Sequence, residues 1–258
     1  MKNMIESGLI FSGCLIALSV HAFEIGAEFS AEAVQSMPGR PPMNAMMYVS
    51  KNAVRTESTV NGNGISEIIF TRDKRRILLN HITKTYIEQK TNNNVNKKND
   101  DSPCAGIVQA KCKKLGKEKV NGRDASKWEM TISVNGQEMK SLHWLDKKYR
   151  MPLRQQFQDG TVSTMTLSGK DTIDNRNTEK WDIHAMRPDG QSMQSQQWYD
   201  PQLKMVIREV LPGGYVRELK NIKVSNQDKK LFQVPNDYKK ETINNLNHPG
   251  VMMQNKGK

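Results

Sequence analysis

The chain has 258 residues, with 39 Lys and Arg against 27 Asp and Glu and a formal charge of +12; this length holds one large β domain or two small ones. Hydrophobic residues are 36 % and aromatic residues 6 %, low for a compact globule, but the periodic apolar segments below exclude wholesale disorder. Beyond the N-terminal region no segment approaches about 18 apolar residues, which excludes a further membrane-spanning helix.

Lys2 precedes a mainly apolar run from Leu9 to Val20, followed by Val20-His21-Ala22. The run is short for a membrane span, and its small-residue ending matches a signal-peptidase site. We expect residues 1–22 to be a signal peptide and the mature protein to be periplasmic. A lipid anchor through Cys14 is the lesser alternative, because Leu15, Ile16, Ala17 and Leu18 continue the apolar run past it.

From Phe23 to Val34 the chain alternates: Phe23, Ile25, Ala27, Phe29, Ala31 and Ala33 fall on one face, and Glu24, Glu28 and Glu32 on the other. A period of two predicts a half-buried strand. Pro38-Gly39 and Pro41-Pro42 break it, and a second strand is expected over Met43 to Ser50. Short strands are predicted over Ala53–Val60, Ile65–Thr71, Arg75–Asn80 and Thr85–Glu88, with turns at residues 61–64 and 73–74.

Residues 90–103 are rich in Asn, Lys and Asp and lack apolar periodicity, so they are expected to form a mobile loop. Cys104 and Cys112 then follow. In an oxidising compartment a disulfide closing this short segment is favoured over free thiols. A metal site would lack a second His or Cys pair to complete it.

Val120-Asn121-Gly122-Arg123 should turn the chain into a strand over Lys127–Val134, and Asn135-Gly136 should return it over Glu138–Leu145. A further hairpin is expected over Leu153–Gln158 and Thr161–Leu167 around Asp159-Gly160. This plan recurs. Lys127-Trp128-Glu129-Met130 resembles Lys180-Trp181-Asp182-Ile183, Asn135-Gly136-Gln137 resembles Asp189-Gly190-Gln191, and Trp144-Leu145-Asp146 resembles Trp198-Tyr199-Asp200. Met151 and Arg154 correspond to Met205 and Arg208, with the offset moving from 53 to 54 residues. A fainter third copy runs from Met43 to Tyr48. Repetition of this kind implies a sheet of similar antiparallel units.

Several segments carry a family resemblance: Met47-Tyr48-Val49, Arg72-Asp73-Lys74, Thr85-Tyr86-Ile87-Glu88, Pro103-Cys104-Ala105-Gly106, Cys112-Lys113-Lys114-Leu115-Gly116, Val120-Asn121-Gly122-Arg123 and Leu231-Phe232-Gln233-Val234-Pro235. In these the sequence resembles a family of exported bacterial proteins of unknown function, related in fold to the LolA/LolB lipoprotein carriers. The resemblance implies a curved antiparallel sheet or half-barrel able to hold an acyl chain or peptide. Two departures stand out: no long amphipathic helix follows the first strand, and Asp237 replaces the glycine of the family's closing Pro-x-Gly-Tyr turn. The first favours an open groove over a closed cavity.

The expected fold is therefore mainly β, a curved antiparallel sheet built from repeated hairpins with little helix. It should form a single domain over 23–240, with a disordered tail over 241–258. Tyr48, Trp128, Trp144, Trp181 and Trp198 are the candidate ligand-binding residues, with core packing as the plainer role for the indoles. His21, His81, His143, His184 and His248 show no metal-binding spacing, and neither a nucleophile turn nor a phosphate loop is present. No enzyme activity, cofactor or metal is expected. The fifteen methionines suit an adaptable apolar lining better than a copper site.

Basic clusters at residues 72–76, Lys97-Lys98, Lys111–Lys119 and Lys239-Lys240 suit either a solubilising surface or attraction to anionic lipid. Nucleic acid is not an expected partner, because the aromatic and basic residues do not interleave as in a known module. The expected function is a periplasmic binding or carrier protein for an apolar ligand, such as a lipid or lipoprotein acyl chain. An envelope protein-interaction or scaffold module is the alternative.

Overall fold

The computed structural model describes residues 25–60, 62–71, 75–90, 102–104, 107, 110–134 and 136–242. The expected signal segment 1–22, Asn61, Arg72-Asp73-Lys74, residues 91–101 of the expected loop, Asn135 and the tail beyond residue 242 lie outside the described residues.

Sixteen strands are present among the described residues: β1 (Phe29–Ser36), β2 (Met43–Val49), β3 (Ala53–Val60), β4 (Asn63–Phe70), β5 (Arg75–Asn80), β6 (Thr85–Lys90), β7 (Ala110–Val120), β8 (Arg123–Val134), β9 (Gln137–Asp146), β10 (Pro152–Phe157), β11 (Val162–Ile173), β12 (Arg176–Met186), β13 (Ser192–Asp200), β14 (Met205–Leu211), β15 (Tyr215–Val224) and β16 (Lys239–Glu241). They form one curved, unclosed sheet in the order β16-β6-β5-β4-β3-β2-β1-β15-β14-β13-β12-β11-β10-β9-β8-β7. All neighbours are antiparallel except β16 against β6. Among the described residues, helix is confined to single 3-10 turns at Pro212–Gly214 and Lys229–Phe232. Lys90, placed in the loop by composition, closes β6 instead, and the Lys-rich segment Ala110–Val120 is an edge strand that periodicity does not reveal.

The sequence repeat is a repeat of strand groups. Tyr86 pairs with Lys240, Tyr48 with Arg55, Trp198 with Arg208 and Trp144 with Arg154. These aromatics lie on β6, β2, β13 and β9, four strands apart across the sheet. Each directly faces a cation on the next strand, because paired residues project to the same side. The two clear copies are β7–β10 and β11–β14. The faint third copy is real, with Tyr48 in the place of the Trp, but its group β15-β1-β2-β3 is assembled from both ends of the chain.

Turn chemistry keeps the copies in register. Val120 pairs with Arg123 across Asn121 and Gly122, whose φ values are 49° and 77°. Fifty-three residues later Ile173 pairs with Arg176 across Asp174 and Asn175, at 50° and 58°. Two successive positive φ angles twist the turn to match the strands, and Asn, Asp and Gly tolerate them. Asp174 further accepts from the Asn221 and Ile222 amides, tying this turn to β15.

The two ends of the sheet differ. At the base lie the turns at 121–122, 147–151, 174–175 and 201–204; at the rim lie those at 37–42, 158–161, 187–191 and 212–214. One core cluster joins Phe29, Ala31, Ala33, Met47, Val49, Leu203, Ile207 and Leu219. A second joins Ala125, Trp144, Met151, Leu153, Met165, Trp181 and Tyr199. Both occupy the middle and base of the sheet. A third packs Ile68, Ile77 and Leu79 beneath Leu231, Phe232, Val234 and Tyr238 of the C-terminal segment. The expected strand begins only at Phe29, after the described residues 25–28; its alternation holds through Phe29, Ala31 and Ala33, against which Ile25 and Ala27 pack, and ends where Val34 and Gln35 are both buried.

Candidate functional site

Each clear copy encloses its tryptophan in charge. Trp144 has Lys127 Nζ 4.9 Å and Arg154 Cζ 5.0 Å from its ring centroid, and its indole N–H donates to Glu118 Oε2 at 2.6 Å. Trp198 has Lys180 Nζ and Arg208 Cζ each at 5.4 Å and donates to Asp171 Oδ2 at 2.9 Å. Cations over an indole face are attracted to its negative quadrupole. The hydrogen bond from Lys127, then that from Trp144, holds the Glu118 carboxyl below its ordinary range; the bond from Trp198 does the same for Asp171.

A second repeated device fastens the base. Asp146 accepts from Arg123 Nε at 2.7 Å and from the amides of Lys148 and Tyr149. Asp200 accepts from Arg176 Nε and from the amides of Gln202 and Leu203. Each buried carboxylate therefore pairs a cation and satisfies two turn amides at once. Gly26 donates to Leu203 O at 3.1 Å, and a Cβ there would lie 2.1 Å from Gln202 O. Only a glycine permits this approach of the first segment to the turn.

The structure brings Trp144 and Trp181 into one cluster with Tyr199, and leaves Trp128, Trp198 and Tyr48 apart from it. All four indoles are buried. Trp128 lies beneath Lys114 and donates to Ser126 Oγ, whereas Trp181 is wholly enclosed and its N–H has no partner among the described residues. Tyr48 packs beside the C-terminal segment, and burial, then Glu57, raises its phenol pKa. Burial, with Tyr149 and Glu179 nearby, pushes the Tyr199 phenol up to about 12.

Two serine–histidine pairs arise. Ser66 Oγ lies 2.6 Å from His81 Nε2, and His81 Nδ1 lies 2.6 Å from Tyr238 Oη. Arg55 also donates to Ser66 Oγ and to Leu231 O, so this chain of bonds ties the C-terminal segment to β3–β5. In the other pair, His143 bridges Ser141 and Gln155 and meets the Phe157 ring edge-on. Burial lowers the His143 pKa, since it disfavours the charged ring. No group of three or more His, Cys, Asp or Glu among the described residues is placed to hold a metal ion.

The accessible apolar surface lies elsewhere, at the rim. Of the ten exposed large hydrophobic residues among the described residues, six sit there: Met43, Ile82, Met139, Phe157, Met186 and Met193. Four share one face. Phe157 pairs with Ser141 two residues from Met139; Gln155, Ser163, Ala185 and Met193 continue the same side across β10 to β13. Gln197, Glu209, Arg217, Gln35 and Met43 extend it to β2. Exposures on this face are 52 % for Met43, 49 % for Met139, 39 % for Phe157 and 50 % for Met193.

The Cys104–Cys112 disulfide is formed and borders the same face, since Cys112 pairs with Met130, Met130 with Ser141 and Ser141 with Phe157. A hollow among the described residues, lined by Val34, Ile207, Arg208 and Leu219 among others, holds only about 10 Å³, room for a single water. Sequence periodicity alone does not single out this rim. Its signal is positional: Met139, Met186 and Met193 each stand within a few residues of a predicted hairpin turn.

Fold and surface together define a class: an unclosed antiparallel-sheet protein with its core at the base and an exposed methionine rim. The chain belongs to the family described as a domain of unknown function, DUF4412, which matches residues 34–170. No curated protein matches it. Among solved structures it is similar to an uncharacterised conserved protein from Thermus thermophilus, at 11 % identity over 85 % of this chain and 92 % of that one, with a TM-score of 0.32. It is similar to a LolA superfamily protein from Nitrosomonas europaea at 15 % identity, over 83 % and 94 % of the two chains, TM-score 0.27. A DUF1329 family protein from Desulfovibrio piger shows 14 % identity over 80 % and 90 %, TM-score 0.29.

Proposed function

We propose that the chain is an exported envelope protein that binds or carries an apolar ligand, such as a lipid or lipoprotein acyl chain, along the rim face. The observation that carries this is the placement of Met43, Met139, Phe157 and Met193 on one side of the sheet, each more than a third exposed. Methionine is unbranched and polarisable, so such a surface adapts to flexible chains. Trp128 and Trp181 lie on this side of the sheet but are buried, and Trp144 and Trp198 face the other side, so the indoles are not the contact surface. The Ser141, His143 and Gln155 side chains lie beside Phe157 and offer a polar group to a ligand head. The disulfide suits an oxidising compartment, and the reading assigns the protein no catalytic step.

A pyrene-labelled fatty acid titrated against the protein tests this, together with native mass spectrometry of protein taken from its own envelope. Covering a half-exposed Met contributes roughly 1 kcal/mol. The Met139→Ser/Met193→Ser double variant should therefore bind the probe about thirtyfold more weakly, with unchanged folding. Equal binding by the variant, or protein that is always empty and ignores acyl probes, refutes the proposal. A protein that crosslinks through rim positions regardless of lipid extraction would favour the scaffold reading instead.

A further inference from the structure

The edge strand β7 carries Lys111, Lys113, Lys114, Lys117 and Lys119 against a single acidic residue, Glu118. Lys114 covers Trp128 and Lys119 faces Asp124, but Lys111, Lys113 and Lys117 are exposed and make no ion pair among the described residues. The register with β8 slips between Lys114 and Gly116, leaving Leu115 unpaired at the bulge and 44 % exposed. Along this edge Lys111 and Lys113 project to one face and Lys117 to the other, with the unpaired leucine between them.

Lysines on an edge strand can serve only to prevent pairing with another sheet. The opposite edge shows what that looks like here: Lys240 is paired with Glu88, and Lys84 with Asp237. On β7 Lys111 and Lys117 face Thr131 and Ser126, Lys113 faces Glu129 without closing an ion pair, and an apolar side chain is set between them. We propose that β7 docks the protein on an anionic phospholipid surface. Lys111, Lys113 and Lys117 meet head-group phosphates, while Leu115 inserts at the head-group boundary. Charge alone would suit a nucleic acid equally; the leucine is what a bilayer uses and a phosphate backbone does not. This inference is independent of the rim ligand, because Lys111 and Lys113 lie on the opposite face of the sheet from Cys112, Met139 and Phe157.

The test is co-sedimentation with vesicles of equal parts phosphatidylglycerol and phosphatidylcholine, against pure phosphatidylcholine. Wild type and variants carry the same N-terminus, so any contribution of the Leu9–Val20 run cancels in the comparison. Each lysine near an anionic surface contributes about fivefold in partitioning. Lys113→Gln/Lys117→Gln should therefore lose about thirtyfold, and Leu115→Ser about fivefold. Lys239→Gln on the opposite edge should bind as wild type. Thermal unfolding establishes that each variant is folded, and Lys111→Gln/Lys117→Gln replaces the first pair if it is not. Three results overturn the proposal: no binding to anionic vesicles, equal binding to neutral ones, or folded variants that bind as wild type. Release from vesicles by an oligonucleotide at equal phosphate concentration also overturns it, in favour of nucleic acid.

Discussion

Replacing Asp200 by Ala should bring the protein close to unfolding. The carboxylate is 1 % exposed and pairs with Arg176, whose side chain is 14 % exposed. The substitution strands that guanidinium and leaves the Gln202 and Leu203 amides without their acceptor. Removing one partner of a buried ion pair costs about 3–5 kcal/mol, against a total stability on the order of 5–15 kcal/mol for a domain. Asp200→Asn keeps Oδ1 for the two amides but loses the charge and the Oδ2 acceptor of Arg176, so its cost should fall below that of Asp200→Ala, at about 1–3 kcal/mol. The repeat supplies an internal control. Asp146 makes the same three contacts, but its partner Arg123 is 27 % exposed, so Asp146→Ala should fall at the lower end of the same range. Urea unfolding followed by tryptophan fluorescence measures all three from the midpoint and slope. An Asp200→Ala cost below about 1 kcal/mol, or an Asp146→Ala cost above that of Asp200→Ala, would refute the staple.

Opening the Cys104–Cys112 disulfide, which closes a separation of 8 residues, should remove about 2–3 kcal/mol; a thermal midpoint unmoved by reductant would contradict this. Gly26→Ala should destabilise by about 1–3 kcal/mol, since its Cβ would strike the Gln202 carbonyl; amide exchange at the 201–204 turn should speed up, and an unchanged rate would count against the contact. Burial holds the His143 pKa below 6.5 in the folded chain. Below the unfolded-state value the unfolded chain binds the extra proton, so His143 should reduce stability as pH falls from about 6.5 toward its folded pKa. The slope of stability against pH in that window should flatten in His143→Gln, and an unchanged slope would show that His143 is not its source.

Much of the molecule is legible without coordinates because strand alternation and turn chemistry are local. The Phe29, Ala31, Ala33 stripe identifies the buried side of β1, and Asn121-Gly122 identifies a hairpin whose register carries the Trp144–Lys127 contact. The 53- to 54-residue spacing already pairs Trp144 with Trp198 and Asp146 with Asp200. It also links Glu118 with Asp171 and Arg123 with Arg176, a correspondence that becomes meaningful only when each acid is seen against its indole and each arginine against its aspartate. β7 escapes periodicity because neither of its faces is buried, which leaves no apolar stripe to alternate.

What the sequence by itself determined is therefore the strand plan, the turns, the repeat and the two cysteines able to pair. Tertiary structure alone decided three things. The unit β15-β1-β2-β3 joins residues nearly 200 apart, a pairing set by which edges remain free after the local hairpins close. It also decided that the indoles are buried while the methionines are exposed, since both are apolar and only position along the strands separates base from rim. Last, it left Lys111, Lys113 and Lys117 without an ion pair among the described residues, because ion pairing depends on which acids the register brings within reach.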